Sequence, residues 1–177
     1  MVMDIRQLVQ KEQENYIYYE PIGGVDGTSY PIGTLSYPVK NLADLRTIAD
    51  QRGIKNIIIL RNTTIDDTMD GYVFFGGGKY PFGIRLNPNS KDLRNCVFRN
   101  LTINGTFAST ADMSIQDCIV YNTYGLRGTV QHSFARWILG TEAGEDLRWE
   151  DCVLSEVQVR PGGGIDLFVS CRGDLRL

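Results

Sequence analysis

From Asn41 the chain reads NLADLRTIADQRG, with Leu42, Leu45, Ile48 and Ala49 falling on one face of a helix and polar residues between them. Asn41 is a good N-cap, Asp44 stands at N3, and Gly53 sits where a left-handed residue ends a helix, so the pattern predicts a helix over 41–53. The period then changes at once. Residues 54–60, IKNIIIL, are too apolar for a strand with one wet face and predict a buried strand. Upstream, Ile5, Leu8 and Val9 behind a capping Asp4 predict a short helix with a narrow apolar stripe. Between the two helices, NYIYYEPIGGVDGTSYPIGTLSYPV is too rich in proline and glycine for a helix or a central strand. It reads as an extended arm over 15–40 whose tyrosines need a surface, either another molecule or the chain's own domain.

Beyond residue 90 the pattern repeats. Aligned on cysteine, the segments are DLRNCVFRNLTI, DMSIQDCIVYNTYGL, DLRWEDCVLSEVQV and IDLFVSCRGDL, with spacings of 22, 34 and 19 residues between Cys96, Cys118, Cys152 and Cys171. Apolar residues stand three before and two after each of the first three cysteines: Leu93 and Phe98, Ile115 and Val120, Trp149 and Leu154. Short strands in units of about 20 residues are the mark of a coiled β solenoid. A β-sandwich has a similar turn spacing, but its successive strands occupy different environments and would not repeat the same text. The expected fold is therefore all-β, a short right-handed parallel β-helix capped by the 41–53 helix and preceded by a short helix and arm. Its domains are 1–40 and 41–177, with four or five coils. The 34-residue interval reads as one coil with a loop inserted in GTVQHSFARWILGTEAG.

Composition narrows the partners. A formal charge of −3 gives no general attraction to nucleic acid or anionic lipid, and no run of eighteen apolar residues suggests membrane insertion. The N-terminal text has no apolar h-region, and four cysteines in 177 residues are too few for a disulfide-scaffolded secreted domain. Synthesis in a cytoplasm, with free thiols, is the expectation.

The candidate chemistry is sparse. Cysteines stacked on successive rungs about 4.8 Å apart form a line that cannot close around one metal ion, so no metal and no cofactor is expected. The reading for the cysteines is small apolar side chains inside the solenoid, although neighbouring rungs fall within disulfide reach. His132, the only histidine, lies in the expected loop and is a weak partner for a cysteine nucleophile. Asp117 and Asp151 precede equivalent cysteines and would point outward. If one rung apart, they would approach the separation of about 5 to 5.5 Å used by retaining glycosidases, which makes them the alternative catalytic pair. Asp66 and Asp67 read as a polar turn. FFGGGKYPFG departs from the P-loop at Val73 and Tyr80 and reads as a turn whose glycines supply positive φ. RGD at 172–174 is a three-letter match with chance as its explanation.

With the helix NLADLRTIADQRG feeding IKNIIIL and coils headed by NCVFRNLTI and DCIVYNT, residues 33–177 resemble the parallel β-helix domains of tailed-bacteriophage virion proteins, such as tail spikes, fibres and head-decoration proteins. The resemblance implies a non-enzymatic virion structural protein, a homotrimer located in the virion and bound to other virion proteins such as major capsid or tail proteins. Its attachment residues would be Ile5, Leu8, Val9, Tyr16, Tyr18, Tyr19 and Tyr30. The alternative is a receptor-binding or glycan-cleaving tip acting on host surface polysaccharide through the face around Asp117, Asp151, Tyr121 and Trp137.

Overall fold

The computed structural model describes residues 15–78, 83–108, 112–138, 147–158 and 166–176, with the side chains of 137, 138, 156–158, 166 and 174–176 outside the description. The expected helix around Ile5, Leu8 and Val9 lies outside the described residues. Strand β1 (Ile17–Tyr19) and helix α1 (Leu42–Arg52) come first. Seven strand pairs follow: β2 and β3 (Asn56–Ile59, Thr63–Thr64), β4 and β5 (Val73–Gly76, Arg85–Asn87), β6 and β7 (Val97–Arg99, Thr102–Thr106), β8 and β9 (Met113–Gln116, Ile119–Tyr124), β10 and β11 (Gly128–Gln131, Phe134–Ile138), β12 and β13 (Leu147–Glu150, Val153–Gln158), and β14 and β15 (Asp166–Val169, Arg172–Arg176).

The first member of each pair joins β1 in one parallel sheet, ordered β1-β2-β4-β6-β8-β10-β12-β14, and the second members form the other, ordered β15-β13-β11-β9-β7-β5-β3. Alternating strands between two parallel sheets means that the chain winds as a solenoid, and the fold is the expected right-handed parallel β-helix. Inward side chains of the first sheet stand directly above one another: Phe74, Phe98, Ile115, Val130, Trp149 and Phe168. Phe74 and Phe98 stack with centroids 5.4 Å apart at 11°, and Trp149 and Phe168 at 6.3 Å and 9°. Most polar strand residues, such as Gln116, Gln131, Arg148 and Glu150, take the outward positions, as the two-residue period of a strand allows.

The helix forms where its sequence predicts. Asn41 Oδ1 accepts the Asp44 N–H at 2.8 Å, and Gly53 closes the end at φ 65° with its N–H on the Ala49 carbonyl. Leu42, Leu45, Ile48 and Ala49 are buried over the first coil, so α1 caps the apolar interior. Removing the cap in Asn41→Ala is expected to cost about 1 kcal/mol, read as a lowered urea midpoint. An unchanged midpoint would mean that the Asp44 N–H finds another acceptor. In β2, Ile57 and Ile59 are fully inward, while Ile58 faces out and is only half-buried.

Residues 17–39 fold back on this cap. Strand β1 pairs in register with β2, Ile17 with Ile57 and Tyr19 with Ile59, while Val39 accepts the Glu20 N–H at its carbonyl and donates to Tyr18. Ile17, Tyr19 and Val39 belong to the same core as the coils, so the arm covers the end of its own solenoid.

Two expectations change. The cysteine alignment does not mark one position. Cys96 precedes β6, a strand of the first sheet, whereas Cys118, Cys152 and Cys171 precede β9, β13 and β15 of the second. The register sets Thr102 opposite Ile119, which places Leu101 level with Cys118. The 34-residue interval is two coils, not one with an insertion, because β10 and β11 form a coil whose inward corner residue is Ser133. Between stacked inward residues the repeat is 17 residues from Phe98 to Ile115, 15 on to Val130, and 19 on to Trp149 and again to Phe168. The two sheets are built from seven such strand pairs among the described residues.

Candidate functional site

Between the two strands of each later coil the chain turns in two residues. The first has left-handed backbone and points outward: Asn100 (φ 54°), Asp117 (51°), His132 (47°), Asp151 (49°) and Ser170 (54°). The second, Leu101, Cys118, Ser133, Cys152 or Cys171, points inward. Short polar side chains tolerate this backbone because they bond locally, which explains the residue types at this corner. The result is a column of outward polar groups along one edge of the rod.

His132 sits between the two aspartates. Its Nδ1 lies 4.0 Å from Asp117 Oδ1 and its Nε2 3.7 Å from Asp151 Oδ2, with all three side chains more than half exposed. Such solvated pairs contribute about 0–1 kcal/mol each, so the column is a surface feature rather than a support of the fold. The expected adjacency of Asp117 and Asp151 fails. They are two rungs apart, about 9.6 Å on a strand spacing of about 4.8 Å, because the Ser133 coil intervenes. That is too far for a retaining pair at about 5 to 5.5 Å, and the space an attacking water would need is occupied by the imidazole.

The column has two unlike flanks. On the first sheet, Gln116 donates to Gln131 at 3.3 Å, Gln131 donates to Glu150, and Arg148 Nε donates to Glu150 Oε1 at 2.5 Å. These hydrogen bonds, Gln131 first and Arg148 second, hold the Glu150 carboxyl below the usual carboxylate range. On the second sheet, Ile119, Phe134 and Val153 stand in register as an apolar strip, with Phe134 40% and Val153 49% exposed. An edge with hydrogen-bonding groups beside an exposed aromatic can hold a polar ligand with an apolar face.

A second concavity lies nearer the cap on the second sheet. Asn62, Thr64, Arg85, Asn87 and Asn104 line an open groove of about 340 Å³, and the Arg85 guanidinium lies 5.7 Å over the Tyr121 ring. A hollow of about 420 Å³ beside α1 contains three cations, each already engaged: Arg46 with Asp67, Lys55 with the Asp70 carbonyl and Arg94 with Asp92. Among the described residues no three His, Cys, Asp or Glu side chains are grouped to hold a metal ion.

Cys96 and Cys118 are not poised as nucleophiles. Burial pushes Cys96 up to about 11 and Cys118 up to about 12. Gly76 and Gly77 of FFGGGKYPFG serve close approach instead of positive φ. A Cβ on Gly76 would meet the Asn100 carbonyl oxygen at 2.1 Å, and one on Gly77 would meet Ile58 at 2.5 Å; residues 79–82 lie outside the described residues. Asp67 is tied to Arg46 and to the Thr68 N–H, and the RGD tripeptide is part of β15.

Of the expected attachment residues, Tyr18 and Tyr19 are 8% and 4% exposed and serve the fold, and Tyr16 packs edge-on against Phe75 at 5.7 Å. Tyr30 is 76% exposed, with Arg52 5.6 Å from its ring. Ile5, Leu8 and Val9, and the side chain of Trp137, lie outside the described residues. Sequence reasoning missed the other apolar groups that the arm leaves in water, namely Ile22, Val25, Leu35 and Tyr37. Their signal was available in the paired P-I-G and S-Y-P text, where proline and glycine hold a backbone that cannot bury every apolar neighbour. Comparisons with family models, with curated proteins and with solved structures return no match to this chain.

Proposed function

We propose that the chain is a non-enzymatic structural and display protein, a virion component in keeping with its resemblance, that docks through the cap end and presents the coil faces outward. The observation that carries this reading is the apolar set on the arm: Ile22, Tyr30, Leu35 and Tyr37 are 75%, 76%, 47% and 50% exposed within one folded-back segment over the cap. Hydrophobic side chains held in water by an ordered backbone mark a binding surface more often than a stability device. The opposite half of the rod carries its own exposed apolar groups, Phe134, Val153, Leu167 and Val169, and these suit association of the rods with one another, as a homotrimer would require.

The test is incorporation into particles. A variant carrying Ile22→Ser, Tyr30→Ser and Leu35→Ser is expected to keep its circular dichroism and melting temperature while its amount per particle, read by immunoblot, falls about tenfold or more. Undiminished incorporation would sink the reading.

A second reading is favoured by the amide-lined groove of Asn62, Asn87 and Asn104 beside Arg85 and Tyr121, which suits the hydroxyls and ring face of a sugar. Host surface polysaccharide would then be bound there without being cut. Glycan-array binding lost in Tyr121→Ala, with no new reducing ends formed by the wild type, is the expected result under that reading.

A further inference from the structure

The inward corner of the second sheet runs Leu101, Cys118, Ser133, Cys152, Cys171, one residue per coil. Only the last two neighbours are both cysteine. Glu150 pairs with Val169 and Val153 with Arg172, so the register brackets Cys152 against Cys171 without a bulge. Adjacent strands lie about 4.8 Å apart, inside the Cα window of about 4.4 to 6.8 Å that a disulfide needs. Cys171 also lies close enough to help raise the Cys152 thiol, behind the larger effect of burial. Cys118 is two rungs from Cys152, about 9.6 Å, beyond bridging reach, and Cys96 belongs to another corner.

We infer that Cys152 and Cys171 form an oxidisable pair, a disulfide site that staples the last coil to the one before it when the protein meets a disulfide oxidant. The two cysteines differ in the way such a pair requires. Cys152 is 1% exposed and its thiol is raised to about 11, chiefly by burial, whereas Cys171 in the terminal coil is only partly covered. Cys171 is therefore the thiol that an external oxidant reaches first. Its thiolate attacks one sulfur of oxidised glutathione and expels glutathione thiolate, leaving a mixed disulfide. The expelled thiolate takes the Cys152 proton, directly or through water, and Cys152 sulfur then displaces the second glutathione as a thiolate, which takes up the proton that Cys171 gave to water. The protein has lost two hydrogens, and one glutathione disulfide has become two thiols.

The staple acts where the solenoid is least supported. Among the described residues, strands β14 and β15 each have a neighbour on one side only, and Leu167 and Val169 are 47% and 37% exposed. Closing a 19-residue loop, from Cys152 to Cys171, penalises opening of the last coil alone.

The test uses the full chain incubated with oxidised glutathione. Expected are a fall from four alkylatable thiols in denaturant to two, a single Cys152–Cys171 linkage in peptide mapping, and amide exchange in β14 and β15 slowed about a hundredfold. Cys171→Ser should abolish all three changes, while Cys118→Ser should leave them intact. A linkage through Cys96 or Cys118, a disulfide between two chains, or a mixed disulfide that persists on Cys171 would each overturn the inference.

Discussion

Phe98→Ala is expected to lower unfolding stability by about 3–5 kcal/mol. Phe98 is fully buried, stacked on Phe74 at 5.4 Å and set edge-on to Phe107 at 5.8 Å, so its ring links two coils of the first sheet and reaches across the interior. Truncation leaves a void that neither coil can fill, because both are pinned by ladders on either side, β4 to β6 and β6 to β8. In a solenoid each coil touches only its neighbours, so the loss concentrates at one joint. Urea unfolding followed by circular dichroism reads the size of the effect, and amide exchange should show β4, β6 and β8 losing most protection. Phe98→Leu, which keeps most of the volume, should cost under half as much. A cost below about 1 kcal/mol for alanine would mean that the interior collapses around the gap and is not closely packed.

The same geometry divides the chain into two sets of residues with separate duties. Inward positions build a continuous apolar column, and outward positions can vary without touching it. Asp117, His132 and Asp151 illustrate the second kind, since each occupies a left-handed corner that demands only a short polar side chain. Their identities are thus free to serve a surface role, and the fold supplies regular spacing along the rod. That is the physical basis for reading the protein as a display scaffold. A rigid ladder of groups at fixed intervals holds an extended partner better than an enclosed pocket does.

How far this was legible in the sequence depended on the range of the interactions involved. Helix α1 was legible to its caps because Asn41, Asp44 and Gly53 act on backbone groups within one turn. The solenoid was legible because inward apolar residues recur in each coil. The extra coil inside the 34-residue interval was not. Cysteine served as the marker, but the corner needs only a residue that fits inside, and Leu101 and Ser133 fit as well. Ser133 keeps its place by donating to the Gln131 carbonyl at 2.6 Å and accepting the Cys118 N–H at 3.1 Å. The better marker was the dipeptide of a polar left-handed residue followed by an inward one: Asn100-Leu101, Asp117-Cys118, His132-Ser133, Asp151-Cys152 and Ser170-Cys171. Reading it would have put His132 between the aspartates. The burial of Tyr18 and Tyr19 was beyond local reasoning, because it follows from pairing between β1 and β2 across some forty residues of chain.

Gly128→Val is the second substitution with a large expected effect, and its contrast with Gly53→Ala separates two reasons for glycine. Both residues have positive φ, 103° and 65°. A Cβ on Gly53 meets nothing within 4 Å, so Gly53→Ala should cost only the left-handed backbone penalty, about 1 kcal/mol. A Cβ on Gly128 would lie 2.2 Å from the Met113 carbonyl oxygen and 2.6 Å from the Met113 nitrogen, inside any tolerable contact. Met113 is backbone in the adjoining rung, and Gly128 is itself paired with Met113 on one side and Leu147 on the other. Neither can retreat without opening a ladder of the first sheet. Backbone strain of about 1–3 kcal/mol therefore adds to lost pairing, and Gly128→Val should cost at least about 3 kcal/mol, with β8, β10 and β12 losing amide protection together. Equal and small effects at the two glycines, measured by urea unfolding, would show that the coils are not held at this separation and would remove the rigid spacing on which the proposed display role depends.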